Sequence, residues 1–85
     1  MSDLAQRFEQ AQHDVKALPE RPDNETLLRL YALYKQGSEG DLSGPKPGFF
    51  DFIGTAKYEA WSKLTGQSQA EAQQQYIDLV ATLRG

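Results

Sequence analysis

The stretch Tyr31-Ala32-Leu33-Tyr34-Lys35-Gln36-Gly37 lies at the end of a segment whose pattern predicts a helix. At about 100° per residue, seven side chains share one apolar and aromatic arc: Leu27, Leu28, Leu30, Tyr31, Ala32, Tyr34 and Lys35. Arg29 and Leu33 fall behind this arc. An ammonium group inside an apolar arc is costly unless it reaches water or an anion. Lys35 therefore either caps the helix C-terminus, where cations are favoured, or faces an anionic ligand.

Three other segments have helical periodicity. Residues 3–17 carry an apolar stripe after Ser2, a good capping residue, and end before the proline-rich linker at 19–23. The segment that begins at residue 53 or 54 and ends near residue 64 groups Ile53, Lys57, Ala60, Trp61 and Leu64. The last segment opens with a capping box, Ser68-Gln69-Ala70-Glu71. The central helix is predicted to begin at Asp23 or Asn24 and to end near Gly37 or Gly40.

The connection between the second and third helices, residues 38–52, is long and rich in turn dipeptides. Its apolar residues, Leu42, Phe49, Phe50 and Phe52, predict that it is pinned to the core. No segment alternates with period two, so we expect four helices. Short connections favour antiparallel neighbours, whereas the long crossover lets the second and third helices run in the same direction.

Composition restricts the function. The 85 residues suit a single domain, 1–85, and 12 acidic against 9 basic residues give a net charge of −3. That charge argues against nucleic acid as a partner, so an anion site must be local. There is no cysteine and no apolar run of signal or membrane-spanning length. We therefore expect a cytoplasmic protein without stable membrane insertion.

Lysines and tyrosines are the candidate ligand-binding residues. Lys16 flanks the stripe of the first helix, whereas Lys35 and Lys57 each lie inside an apolar arc. Any one of them is explained by an alkyl chain that extends to water, but the set suggests a cleft that holds an anion. Three tyrosines on inward stripes, Tyr31, Tyr34 and Tyr76, offer flat faces and hydroxyl donors suited to a nucleotide. Core packing explains each tyrosine equally well.

Catalysis and metal binding have few candidate residues. His13 lies opposite the apolar stripe of its helix, which predicts a solvated side chain. Asp41 and Asp51 are explained by turn and N-cap roles. The glycines at 37, 40 and 44 lack the lysine and hydroxyl spacing of a P-loop. We therefore expect a protein that is not an enzyme, with no metal and no cofactor.

Several motifs resemble those of the acyl-CoA-binding protein family over essentially the whole chain. They are Phe8, Val15-Lys16 and Leu18; Tyr31-x-x-Tyr34-Lys35-Gln36 with Gly40-Asp41; Pro47-Gly48-x-x-Asp51-Phe52-x-Gly54-x-Ala56-Lys57-x-x-Ala60-Trp61; and Tyr76-Ile77-Asp78. The resemblance implies an all-α, four-helix up-down-down-up bundle. It also implies a monomeric carrier and buffer of medium- and long-chain fatty acyl-CoA, which exchanges its ligand with enzymes that produce or consume it.

The resemblance also implies a role for each candidate residue. Lys35 and Lys57 would hold the ribose 3′-phosphate with help from the Tyr31 hydroxyl, and Lys16 would reach the polar part of the ligand. Tyr76 would lie against the CoA portion, and Tyr34 would support the adenine side. Leu27 and Leu28 would border the acyl chain.

The chain departs from the family pattern at a few positions. Ile53 and Thr55 stand where the family commonly has lysines, and Gln12 replaces a small residue close to the adenine. We expect binding to be retained because Tyr31, Lys35 and Lys57 are present. An alternative function is a helical protein–protein interaction module that docks a partner through the 38–52 loop, with Phe49 and Phe50 as anchors.

Overall fold

The computed structural model of the protein describes residues 3–85, which form four helices and no strand. The helices are α1 (Asp3–Lys16), α2 (Asn24–Glu39), α3 (Phe52–Ser62) and α4 (Gln69–Arg84). All four predicted helices are confirmed, with ends that differ by one or two residues. The predicted cap at Ser2 lies outside the described residues. No helix within residues 3–85 is long and apolar enough to cross a membrane.

Side chains cap the N-termini of α2, α3 and α4, as the sequence predicts. The Asp23 carboxylate accepts a hydrogen bond from the Thr26 N–H at 2.8 Å, which places the start of α2 after Asp23. Asp51 accepts from the Gly54 N–H at 2.8 Å at the start of α3. Ser68 and Glu71 form the complete capping box of α4. Each bond satisfies a backbone donor that has no partner inside its helix.

Gly40, and not Gly37, ends α2. Gly40 has φ +83°, a left-handed conformation that favours glycine, and its N–H donates to the Gln36 carbonyl at 3.0 Å. Gly37 is buried inside the helix, where a Cβ atom would lie 3.0 Å from both Phe8 and Gln73. The missing side chain therefore lets α2 approach α4 closely and leaves room for the Phe8 ring of α1.

The helices form a thin layer of 37 × 31 × 15 Å. The backbone of α4 packs against α1 and α2, and α3 packs against α2 alone. Helices joined by the short connections make no close backbone contact with each other, so the expectation that they pack as direct neighbours was wrong. The core contains Leu33, which the helical wheel had placed behind the apolar arc, together with Phe8, Ala11, Leu30, Ala72, Tyr76 and Val80.

The long connection is not pinned to the core by its phenylalanines. Phe49, Phe50 and Phe52 are 87%, 81% and 74% exposed, and Ile53 at the start of α3 is 72% exposed. Residues 38–52 are held instead by polar bonds at their N-terminal end. Hydrophobicity alone cannot distinguish a side chain packed on the core from one on an exposed rim.

Gln36 is fully buried and joins three parts of the chain. Its amide nitrogen donates to Asp41 at 2.9 Å and to the Gln67 carbonyl at 2.8 Å. Its amide oxygen accepts from the Trp61 indole N–H at 3.1 Å, and this N–H also donates to the Gly40 carbonyl at 3.0 Å. Gln36 therefore connects α2, the indole of α3 and the α3–α4 connection.

Replacing Gln36 with leucine should destabilise the fold by about 2 kcal/mol, because buried groups lose their hydrogen-bond partner without a large change in side-chain volume. Urea unfolding measures the effect. The control is Gln10→Leu, which removes an amide from the exposed face of α1, where Gln10 donates to Asp14. Equal stability losses in the two variants would contradict the role assigned to Gln36.

Asp41 makes part of this stability pH-dependent. Hydrogen bonds from the Gly66 N–H and the Gln36 amide lower the pKa of Asp41 below its usual value of 3.8. A carboxylate with a lowered pKa stabilises the fold above its unfolded pKa, and the contribution is lost as the pH falls through the folded pKa. The stability difference between the parent and Asp41→Asn should therefore shrink from about pH 7 to about pH 2. Urea unfolding across this range tests the prediction, and a constant difference would contradict it.

Candidate functional site

Two cation–aromatic contacts cross the junction between α2 and α3. The Lys57 ammonium of α3 lies 5.1 Å from the centroid of the Tyr31 ring of α2. The Lys35 ammonium of α2 lies 5.0 Å from the Trp61 ring of α3. Each helix thus contributes one ring and one cation, four residues apart on the same face. The contacts follow the same order along both helices, so α2 and α3 run in the same direction.

Lys35 is half-buried, and its ammonium forms an ion pair with Glu39 one turn later. This bond raises the pKa of Lys35 above its usual value of 10.5, with burial acting in the opposite direction. Lys35 is therefore a cation at neutral pH, surrounded by aromatic side chains and engaged by an internal carboxylate.

A groove of about 650 Å³, here called the Tyr31 groove, lies beside the Lys57–Tyr31 contact. Its lining is Arg21, Asn24, Leu27, Leu28, Tyr31, Phe52, Ile53, Ala56 and Lys57. Most of these side chains are apolar, and the only charged ones are cations. Such a groove can accept an apolar chain that is attached to an anionic group.

A second groove of about 500 Å³, here called the Glu59 groove, lies between the same two helices and shares Leu28 and Ala56. Its charged lining residues are Glu25, Arg29, Glu59 and Lys63. Two carboxylates offset its two cations, so this groove has no net attraction for a phosphate. Charge therefore selects the Tyr31 groove as the candidate site.

Tyr34 and Tyr76 belong to an aromatic cluster centred on Phe8. The Tyr76 ring is buried and meets Phe8 edge-on at 5.2 Å, and Tyr34 lies 6.2 Å from Phe8 with its ring partly exposed. Burial raises the pKa of Tyr76 above 10.0, and the nearby Tyr34 acts in the same direction. This cluster joins α1, α2 and α4.

The structure brings together some of the predicted site residues but not all of them. Leu27, Leu28, Tyr31 and Lys57 line the Tyr31 groove, and Lys35 lies one turn beyond Tyr31. Tyr34 and Tyr76 lie in the Phe8 cluster. Lys16 is exposed at the end of α1 and is not part of the groove lining.

Sequence reasoning missed Arg21, Asn24 and Ala56 as groove residues and wrongly predicted that Phe52 is pinned to the core. Arg21 follows the helix-breaking linker, where no periodicity indicates a direction. Its guanidinium donates to the Asn24 side chain at 3.5 Å. The only sequence signal that Phe52 and Ile53 lie on the surface was their position next to the capping residue Asp51, since the first turn of a short helix is often exposed.

Residues 5–80 match the family model of the acyl-CoA-binding protein. The chain belongs to the acyl-CoA-binding protein family. It is 46% identical over 80 residues to the acyl-CoA-binding protein homolog of Drosophila melanogaster, a match that covers 94% of this chain and 93% of the relative. The crystal structure of acyl-CoA-binding protein 2 from Oryza sativa superposes with a TM-score of 0.89 at 38% identity, covering 94% of this chain and 89% of that one.

Other proteins similar to this chain are much longer. Enoyl-CoA delta isomerase 2 of Rattus norvegicus is 51% identical over 78 residues, which cover 92% of this chain but 20% of the isomerase. The chain thus spans about a fifth of that relative. The all-α fold expected from the sequence is confirmed as the fold of this family.

Proposed function

We propose that this chain binds medium- and long-chain fatty acyl-CoA esters non-covalently and serves as their carrier and buffer. The observation that carries the proposal is the pair of ammonium groups on the α2–α3 junction, Lys35 and Lys57, beside a largely apolar groove. Family membership supports the same ligand. An acyl-CoA supplies phosphates for the cations, a flat base for the tyrosines and an apolar chain for the groove.

Charge and polarity suggest which residues contact each part of the acyl-CoA ligand. Lys35 and Lys57 lie one helical turn apart along the junction and would share the ribose 3′-phosphate, with the Tyr31 hydroxyl as a further donor. Leu27, Leu28, Phe52 and Ile53 would border the acyl chain. Tyr34 would support the adenine side, Tyr76 would back the CoA portion from the Phe8 cluster, and Lys16 would reach the polar part from α1.

A carrier role, without catalysis, is part of the proposal. Among the described residues that line the Tyr31 groove, the groups that could act as a base or nucleophile are those of Tyr31 and Lys57, and the proposal assigns both to the phosphate. Thioester hydrolysis needs a nucleophile or a general base in contact with the ester. The proposal extends to a monomer in the cytoplasm that exchanges its ligand with enzymes producing or consuming acyl-CoA.

Lys35→Ala and Lys57→Ala should each weaken palmitoyl-CoA binding by about 1.5 to 3 kcal/mol, because each removes a charge-assisted contact to phosphate. Isothermal calorimetry measures the loss. The matched control is Lys63→Ala, which removes a lysine from the Glu59 groove and should leave affinity nearly unchanged.

The same titrations with 3′-dephospho-palmitoyl-CoA assign the contact. The parent should bind this ligand more weakly, and the two alanine substitutions should then cost little more. Equal affinity of the parent for both ligands would contradict the 3′-phosphate assignment. Binding of neither ligand would overturn the proposed function.

Glu39→Gln should strengthen palmitoyl-CoA binding about two- to fivefold, because the Glu39 carboxylate occupies Lys35 in the free protein and must release it to the phosphate. An exposed ion pair of this kind is worth up to about 1 kcal/mol, which limits the gain. Calorimetry with Glu59→Gln as control separates this effect from net charge, since both substitutions remove one negative charge. Weaker binding by Glu39→Gln would show that Glu39 assists Lys35.

A further inference from the structure

Four apolar side chains, two on each side of Asp51, lie at and just before the start of α3. Phe49, Phe50, Phe52 and Ile53 are 72% to 87% exposed, and Phe49 and Phe50 meet edge-on with their ring centroids 5.0 Å apart. The Asp51 carboxylate between them is engaged with the Gly54 N–H. Exposure of so many large apolar groups in one place marks an interaction surface.

We propose that this apolar patch, residues 49–53, docks the protein on the surface of a lipid bilayer. The inference rests on the proposed function, since Phe52 and Ile53 line both the patch and the Tyr31 groove. The patch is therefore continuous with the groove that would take the acyl chain. Docking would place this groove next to the bilayer, into which acyl-CoA partitions.

Shape favours a bilayer over a protein as the occupant. The side chains protrude almost completely, and Phe49 and Phe50 line none of the main described grooves. A bilayer accepts protruding aromatic side chains at its interface without a complementary pocket, whereas a protein partner must supply one.

Local charge also favours a bilayer. Lys46 precedes the patch by three residues, and Arg21 shares the groove lining with Phe52 and Ile53. These cations can meet lipid phosphates while the rings enter the interface. The net charge of −3 opposes binding to an anionic surface through the overall field, so the contact depends on the patch.

Flotation with phosphatidylcholine vesicles, with and without phosphatidylserine and in the absence of acyl-CoA, tests the proposal. The parent should float with both kinds of vesicle, and Phe49→Ser/Phe50→Ser should partition at least about tenfold more weakly. The control, Ala70→Ser/Ala81→Ser, changes two exposed apolar residues of α4 and should partition like the parent. A parent that does not float, or equal partitioning of all three proteins, would overturn the proposal.

Fluorescence locates the contact. Tryptophan in Phe50→Trp should be quenched by brominated lipid, whereas Trp61, the only tryptophan of the parent and 6% exposed, should not. Lack of quenching at position 50 would overturn the proposal, as would self-association of the parent that the double serine variant abolishes. Calorimetry without vesicles should show equal acyl-CoA affinity for the parent and the double serine variant, so a failure of ligand binding remains distinguishable from a failure of docking.

Discussion

The position of α3 depends on one buried amide. Because α3 packs against α2 alone, its placement depends on that single contact, at whose C-terminal end Gln36 accepts a hydrogen bond from the Trp61 indole at 3.1 Å. The same amide donates hydrogen bonds to Asp41 and to the Gln67 carbonyl, so it also holds the two connections that flank α3. A fully buried polar group is tolerated only when its hydrogen bonds are made, and here those bonds specify the geometry of the junction.

The candidate site follows from this junction. With Trp61 fixed, Lys35 lies over the indole, and Lys57, one turn earlier on α3, lies over Tyr31. Each ring stabilises one cation, and this arrangement concentrates positive charge in a protein whose net charge is −3. The pair Lys35–Glu39 shows that the free protein already satisfies one of these cations internally.

The helices and several residues of the candidate site could be predicted from the sequence because they depend on local signals. Capping side chains at Asp23, Asp51 and Ser68 mark where helices begin. Lys35, a charged residue within an apolar arc, suggested an anionic ligand. Long-range features could not be predicted in this way. Periodicity could not show that Gln36 is buried with partners 31 residues away, nor that phenylalanines at 49–52 face solvent, because both depend on how α3 docks.

The central claim is that the two lysines of the α2–α3 junction hold the phosphate of an acyl-CoA whose chain lies in the Tyr31 groove. A crystal structure of the complex with palmitoyl-CoA tests it most directly. The account predicts the 3′-phosphate within hydrogen-bonding distance of the ammonium groups of both Lys35 and Lys57, with the Lys35–Glu39 pair opened. A phosphate bound at Arg29 and Lys63, or an acyl chain in the Glu59 groove, would contradict it.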